Sequence, residues 1–141
     1  MRINKMNKGK IKITITVITM VSVLAIWFAL PNTAQAKTIT IGGADLYYSL
    51  GGSASSVTAT VSFTQGSGSL NVSVTGYAYN IADPEITKRI SNSARCSIPS
   101  GTSASIGETG YRFYSANAAY AYDITLGGNN YKGTTSDSLN F

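Results

Sequence analysis

The stretch that decides the fold runs from Ser56 to Asn80 and reads SVTATVSFTQGSGSLNVSVTGYAYN. Apolar residues alternate with Ser and Thr over residues 57–63, and the alternation returns over residues 70–78. A period of two sends one set of side chains into a core and the other set into solvent, so each half is predicted to be a half-buried strand. The Gly- and Ser-rich residues between the halves predict a hairpin loop in which two glycines adopt positive φ.

The register of this predicted hairpin follows from its apolar residues, which must all face the same side. Pairing Phe63 with Val72 satisfies that condition and excludes every register shifted by one residue. A second hairpin is predicted with Gly128-Asn129 at the centre of its turn, which pairs Leu126 with Tyr131.

Further short runs of alternating residues, separated by Gly, Ser and Pro, extend on both sides of the central stretch. They lie at residues 37–41, 45–50, 88–98, 103–108, 111–126 and 131–136. No segment of the mature chain carries a sustained apolar stripe with helical spacing. The pattern predicts an all-β fold, a small antiparallel β-sandwich of Ig-like or Greek-key type with about seven strands.

The N-terminal region has the order of a secretory signal peptide. Five basic residues precede an uncharged apolar run over residues 13–30, and Ala34-Gln35-Ala36 supplies a small-x-small cleavage site. We therefore predict a helical signal peptide over residues 1–36, cleavage after Ala36, and a single extracellular domain over residues 37–141. An uncleaved membrane anchor is the alternative, since the apolar run is nearly long enough to span a bilayer.

The charge of the chain changes when the predicted leader is removed. The full sequence has 11 basic and 6 acidic residues, but 5 of the basic residues lie in the leader, which leaves 6 of each sign. A near-neutral mature domain lacks the electrostatic attraction that nucleic acids and anionic membranes require. We expect no nucleic-acid partner and no membrane insertion of the mature domain.

The residue types needed for common catalytic and metal sites are scarce. The chain has no histidine and one cysteine, so neither a histidine base nor a Cys/His zinc site can be built. Asp83 and Glu85 are the only mature carboxylates close together in sequence, and they flank a proline in a predicted loop. Cys96 shares a predicted face with Ala94 and Ile98 and is expected to be buried. We expect a non-enzymatic protein with no catalytic residue, metal or cofactor.

Tyrosine is the residue type that best suggests a binding surface. All nine tyrosines lie in the mature chain, and Tyr77, Tyr79 and Tyr114 fall on the less apolar faces of their strands. Exposed tyrosines stack on sugar rings or anchor protein interfaces, so these three are the predicted binding residues. The alternative is that tyrosine is a favoured strand residue that is half-buried for structural reasons.

These features favour a small secreted binding module whose partner is a cell-wall glycan or a surface protein. A secreted bacteriocin or toxin is one alternative. A self-assembling matrix protein is another, because residues 57–63 form an uncharged, β-forming run of the kind found in cross-β segments. The overall composition, a basic leader followed by a Ser-, Thr- and Gly-rich domain, resembles small secreted proteins of Gram-positive bacteria.

Overall fold

A computed structural model describes residues 34–141, and all regular elements in that range are β-strands. The six strands are β1 (Lys37–Ile41), β2 (Ala44–Ser53), β3 (Ser56–Asn80), β4 (Thr87–Gly107), β5 (Tyr111–Leu126) and β6 (Asn129–Asn140). All pairings are antiparallel and join the strands into one sheet, which confirms the predicted all-β antiparallel class. The described range has no helix able to span a membrane, and the predicted signal helix lies outside it.

Strand β3 organises the sheet, and it corrects the predicted central hairpin. The two alternating halves do not pair with each other, because Phe63 lies opposite Ser100 of β4 and Val72 lies opposite Ala94 of the same strand. The Gly- and Ser-rich segment bends one continuous strand of 25 residues without reversing it. The predicted pairing of Phe63 with Val72 is therefore wrong, although both side chains are fully buried as the alternation requires.

The bend in β3 coincides with an interruption of its pairing to β4. Residues 64–67 of β3 lie between the paired residues on either side of the bend, and only Pro99 of β4 is available opposite them. Proline has no backbone N–H to donate to a ladder, so the interruption falls where one strand could not pair fully. Gly66 and Gly68 take φ values of 74° and 127° and allow β3 to turn there. Strand β4 also continues through Pro99. The two strands predicted over residues 88–98 and 103–108 are therefore parts of one strand.

The bent sheet has two arms that enclose the core. The first half of β3 pairs with β2, and the second half pairs with β5, while β4 follows the opposite edge along both halves. We call the part with β1 and β2 the first arm and the part with β5 and β6 the second arm. Their buried side chains form one hydrophobic cluster, whose largest members are Tyr120, Phe63 and Phe113. The arms belong to a single sheet, so the two separate sheets of the predicted sandwich are not observed.

Polar contacts join the two arms where the sheet nearly closes. Lys37 of β1 and Asp137 of β6 form a salt bridge of 2.6 Å, and the Asp137 side chain is only 13% exposed. The Tyr120 hydroxyl of β5 donates a hydrogen bond of 2.7 Å to the carbonyl oxygen of Ser49 in β2. The Tyr120 ring also lies 4.9 Å from that of Tyr48, measured between centroids. These contacts fix the separation of β2 from β5 and β6.

Strands β5 and β6 form a hairpin, as predicted, but its register differs by two residues. Leu126 pairs with Asn129 and Ile124 pairs with Tyr131, so Gly127 and Gly128 form the turn. Both glycines have positive φ, which suits a two-residue hairpin turn. A register shift of two residues leaves each side chain on the same face of the sheet. The predicted inward and outward faces of β5 and β6 are therefore correct although the predicted register is wrong.

Candidate functional site

The three tyrosines predicted to bind a partner lie on the outer face of the second arm. The rings of Tyr77 and Tyr114 have centroids 6.4 Å apart and are tilted by 36°. Tyr79 follows on the same face of β3, and it pairs with Thr87 of β4. We call Tyr77, Tyr79 and Tyr114 the aromatic patch. The predicted hairpin would place Tyr77 and Tyr79 across from Ser56 and Thr58, and that position is wrong because β3 does not form the hairpin.

Tyr114 reaches this face through a β-bulge. Tyr77 pairs with Ser115, but the next residue, Ala78, pairs with Phe113, so Tyr114 is an extra residue in β5. Strict alternation counted back from the buried Tyr120 would turn Tyr114 inward. The bulge reverses the alternation and leaves Tyr114 44% exposed, while Phe113 enters the core.

The aromatic patch borders an apolar end of the domain. Of the large hydrophobic side chains that are exposed in residues 34–141, four lie at this end: Ile81, Ile86, Tyr114 and Phe141. The backbone N–H of Phe141 donates to the carbonyl oxygen of Tyr114 at 3.2 Å, which holds the C-terminal residue beside the bulge. The loop after β3 is also fixed at this end, because the backbone N–H of Ile81 donates a hydrogen bond of 2.8 Å to the carbonyl oxygen of Gly110. Clustered exposed apolar groups of this kind mark interaction surfaces more often than isolated ones do.

The lysines and arginines of the described residues differ in their pairing with carboxylates. Each lysine of the described chain forms a salt bridge, in the pairs Lys37–Asp137, Lys88–Glu108 and Lys132–Asp123. The arginines Arg89, Arg95 and Arg112 all lie on the outer face of the second arm, in register with Tyr77, Asn71 and Tyr79 respectively. Within residues 34–141, none of the three forms a salt bridge with a carboxylate.

The sequence predicted only a near-zero net charge for residues 37–141, which does not show which charged residues pair with one another. The pairing of β3 with β4 places Arg89 beside Tyr77, and its pairing with β5 places Arg112 beside Tyr79. Neither pairing was predicted from the sequence. The basic dipeptide Lys88-Arg89 was visible, but alternation sends its two side chains to opposite sides of β4.

The far end of the same outer face carries a more balanced set of charges. Arg95 donates to the Ser69 hydroxyl at 3.1 Å, and both residues line an open cleft together with Asp123. Hydrogen bonds from Asn130 and Lys132, followed by the charges of Lys132 and Arg95, lower the pKa of Asp123 below its ordinary value. The carboxylate at this end is therefore already paired with a lysine.

The residues weighed for catalysis or metal binding, Asp83, Glu85 and Cys96, have structural roles in the described residues. The Asp83 carboxylate accepts a hydrogen bond of 3.2 Å from the backbone N–H of Glu85, which is the chemistry of a turn. Cys96 is half-buried and packs against the core, so its predicted full burial is only partly correct. It lies where β4 has a neighbour on one edge only, opposite Leu70 of β3. Within residues 34–141 no group of three His, Cys, Asp or Glu side chains could hold a metal ion.

Comparisons with known proteins do not assign the chain to a family. No protein-family model matches it, and no curated protein matches it. Among solved structures, it is similar to the solution structure of CsgH from R. palustris, with 14% identity over 76% of this chain and 89% of that chain, and a TM-score of 0.28. A TM-score this low transfers neither fold nor function, so the chemistry of the surface has to support any functional conclusion.

Proposed function

We propose that this protein is a small secreted, non-catalytic module that binds a cell-wall glycan through the aromatic patch. The observation that carries the proposal is the tilted pair formed by Tyr77 and Tyr114, whose centroids are 6.4 Å apart on an outer sheet face. Tyrosine rings offer a rigid apolar surface together with a hydroxyl that stays wet. The C–H face of a sugar ring can lie against such a surface while its hydroxyl groups remain hydrogen-bonded.

The surroundings of the ring pair suit a polar, ring-containing ligand. The outer face of the second arm is rich in hydroxyl and amide side chains, including Ser73, Thr75, Ser91, Ser93, Ser115 and Asn117. These groups both donate and accept hydrogen bonds, as the hydroxyl groups of a sugar do. A surface protein remains the alternative partner, which the binding experiment below distinguishes.

The folded domain does not favour the matrix-protein alternative. The cross-β-like residues 57–62 pair with β2 on one edge and with β4 on the other. Their backbone groups are therefore already used inside the sheet, and their apolar side chains are in the core. A segment paired on both edges cannot add a further strand without unfolding.

Replacing Tyr77 and Tyr114 together by serine should weaken binding to isolated cell wall by roughly tenfold. Each aromatic contact is worth about 0.5–1.5 kcal/mol beyond its buried area, and tenfold corresponds to about 1.4 kcal/mol. Binding is measured by co-sedimentation of the purified mature protein with cell wall, before and after protease treatment to remove surface proteins.

The matched control is Tyr47→Ser, because Tyr47 is 46% exposed but lies in β2 of the first arm. It should bind as the wild type does, and the single variant Tyr114→Ser tests the patch if the double variant is unstable. Undiminished binding by a folded double variant would contradict the proposal, and loss of binding after protease treatment would point to a protein partner.

Export should leave Lys37 as the first residue of the secreted protein. Lys37 begins β1, so cleavage after Ala36 would remove the leader without removing any residue of the sheet. Mass spectrometry of protein from the culture medium measures the N-terminus directly. A product retained in the membrane with an intact leader would contradict both the cleavage and the extracellular location.

A further inference from the structure

We propose that the ligand of the aromatic patch is an acidic polysaccharide, with sugar rings against Tyr77 and Tyr114 and carboxylates paired to Arg89 and Arg112. This inference rests on the proposed function, because it names the ligand class for the same surface. Three observations support it: the position of the two arginines, the lack of a salt bridge to either of them within residues 34–141, and the distribution of the acidic residues.

The two arginines lie on opposite sides of β3, the strand that carries Tyr77 and Tyr79. Arg89 of β4 lies directly across from Tyr77, and Arg112 of β5 lies directly across from Tyr79. Adjacent strands are about 4.8 Å apart, so two steps across β3 separate the arginine backbones by about 10 Å laterally. Side chains that start at this separation can reach successive anionic groups of one polymer whose rings lie on the tyrosines between them.

Neither arginine is neutralised by the domain itself. Within residues 34–141 their side chains make no salt bridge, whereas the neighbouring Lys88 is bound to Glu108 at 2.5 Å on the other side of β4. A guanidinium group is planar and matches a carboxylate with two parallel hydrogen bonds. Two guanidinium groups without a salt bridge in the described residues, beside a tilted pair of tyrosine rings, therefore form a surface that favours a carboxylate attached to a sugar.

The acidic residues explain why a polymer with a lower charge density fits better than a phosphate chain. Asp123 lies on the same outer face as Arg95, and Asp83 and Glu85 lie in the loop after β3. A polymer with a dense row of phosphates would meet these carboxylates as it extends in either direction. A polysaccharide with one carboxylate per ring spaces its charges more widely than a phosphate chain and carries neutral hydroxyl groups between them, so these carboxylates repel it less.

The inference is tested with the purified mature chain and a matched pair of polysaccharides. Polygalacturonate and its fully methyl-esterified form have the same rings, but only the first carries carboxylates. We expect the wild type to bind polygalacturonate about tenfold more tightly in calorimetry, and to lose much of this preference as NaCl is raised and charges are screened. The double variant Arg89→Gln and Arg112→Gln should bind both polymers equally weakly, while Arg95→Gln should retain the wild-type preference.

Each contrary result has a distinct meaning. Equal binding of both polymers by the wild type, unaffected by the arginine variants, would overturn the acidic-ligand inference while leaving glycan binding in place. Preference for inorganic polyphosphate over polygalacturonate would overturn the inference as well. If binding to every polysaccharide is absent or is indifferent to Tyr77→Ser and Tyr114→Ser, the proposed function itself fails.

Discussion

Alanine in place of Gly68 should lower the free energy of unfolding by about 3 kcal/mol, the upper end of what a strained backbone position costs. Gly68 has a φ of 127°, a region that residues with a Cβ rarely adopt. A Cβ at this position would collide with the backbone carbonyl oxygen of Asp123 in β5. That oxygen belongs to the sheet, so it cannot move aside without disturbing the pairing of Gly68 with Ile124. Urea denaturation of the purified mature domain measures the change.

The control for this variant is Gly110→Ala. Gly110 has a φ of 84°, but an added Cβ would meet nothing within 4 Å. Its cost should be limited to the unfavourable backbone angle, about 1–2 kcal/mol. The difference in unfolding free energy between the two variants measures the cost of the collision between the added Cβ at residue 68 of β3 and the Asp123 carbonyl oxygen of β5. Equal losses of stability in the two variants would show that this contact does not hold the bend in place.

The bend also shows how far alternation alone can predict this fold. Period-two patterns identified the buried faces of both halves of β3, and every apolar residue assigned to them is inaccessible. The same patterns could not distinguish a hairpin loop from a bend, because Gly and Ser at residues 66–69 suit both conformations. The choice depends on whether other strands can pair with each half, and β2, β4 and β5 supply those partners.

The sequence also predicted only part of the candidate site, namely the faces on which its tyrosines lie. Alternation placed Tyr77 and Tyr79 on the outer face. Tyr114 was also predicted to be exposed, but its position beside Tyr77 depends on the bulge in β5, which the sequence pattern does not show. Nor could it show Arg89 and Arg112 beside the tyrosines, since these neighbours lie in different strands. Side-chain direction is a local property of a strand, whereas neighbours across strands follow from topology and register.

Topology likewise determines the role of Tyr120. Its side chain is fully buried, yet it carries a hydroxyl that needs a partner. Lys37, the first residue of β1, pairs with Tyr48, so β1 does not pair with Ser49. The carbonyl oxygen of Ser49 can therefore accept a hydrogen bond from the Tyr120 hydroxyl. One phenol thereby supplies core volume and joins the two arms of the sheet.

Replacing Tyr120 by phenylalanine should destabilise the domain by about 1–3 kcal/mol at neutral pH, because it removes a buried hydrogen bond but leaves its acceptor in place. The deficit should shrink at alkaline pH. Burial raises the pKa of Tyr120 above its ordinary value of 10.0, with smaller contributions from the charges of Asp137 and Tyr48. The unfolded chain therefore releases this proton near pH 10 while the folded domain retains it, and the wild type loses stability as the pH rises further.

The expected slope for this single group is about 1.4 kcal/mol of unfolding free energy per pH unit above its ordinary pKa. The Phe variant lacks the phenol, so its curve should approach that of the wild type between pH 10 and pH 11. The salt bridge with Asp137 raises the pKa of Lys37 and also weakens as that lysine deprotonates, but it is present in both proteins and largely cancels. Urea denaturation at pH 7, 10 and 11 measures the gap, and Tyr47→Phe controls for loss of an exposed hydroxyl at pH 7. A gap that stays constant across this pH range would show that Tyr120 does not titrate differently in the folded and unfolded chains.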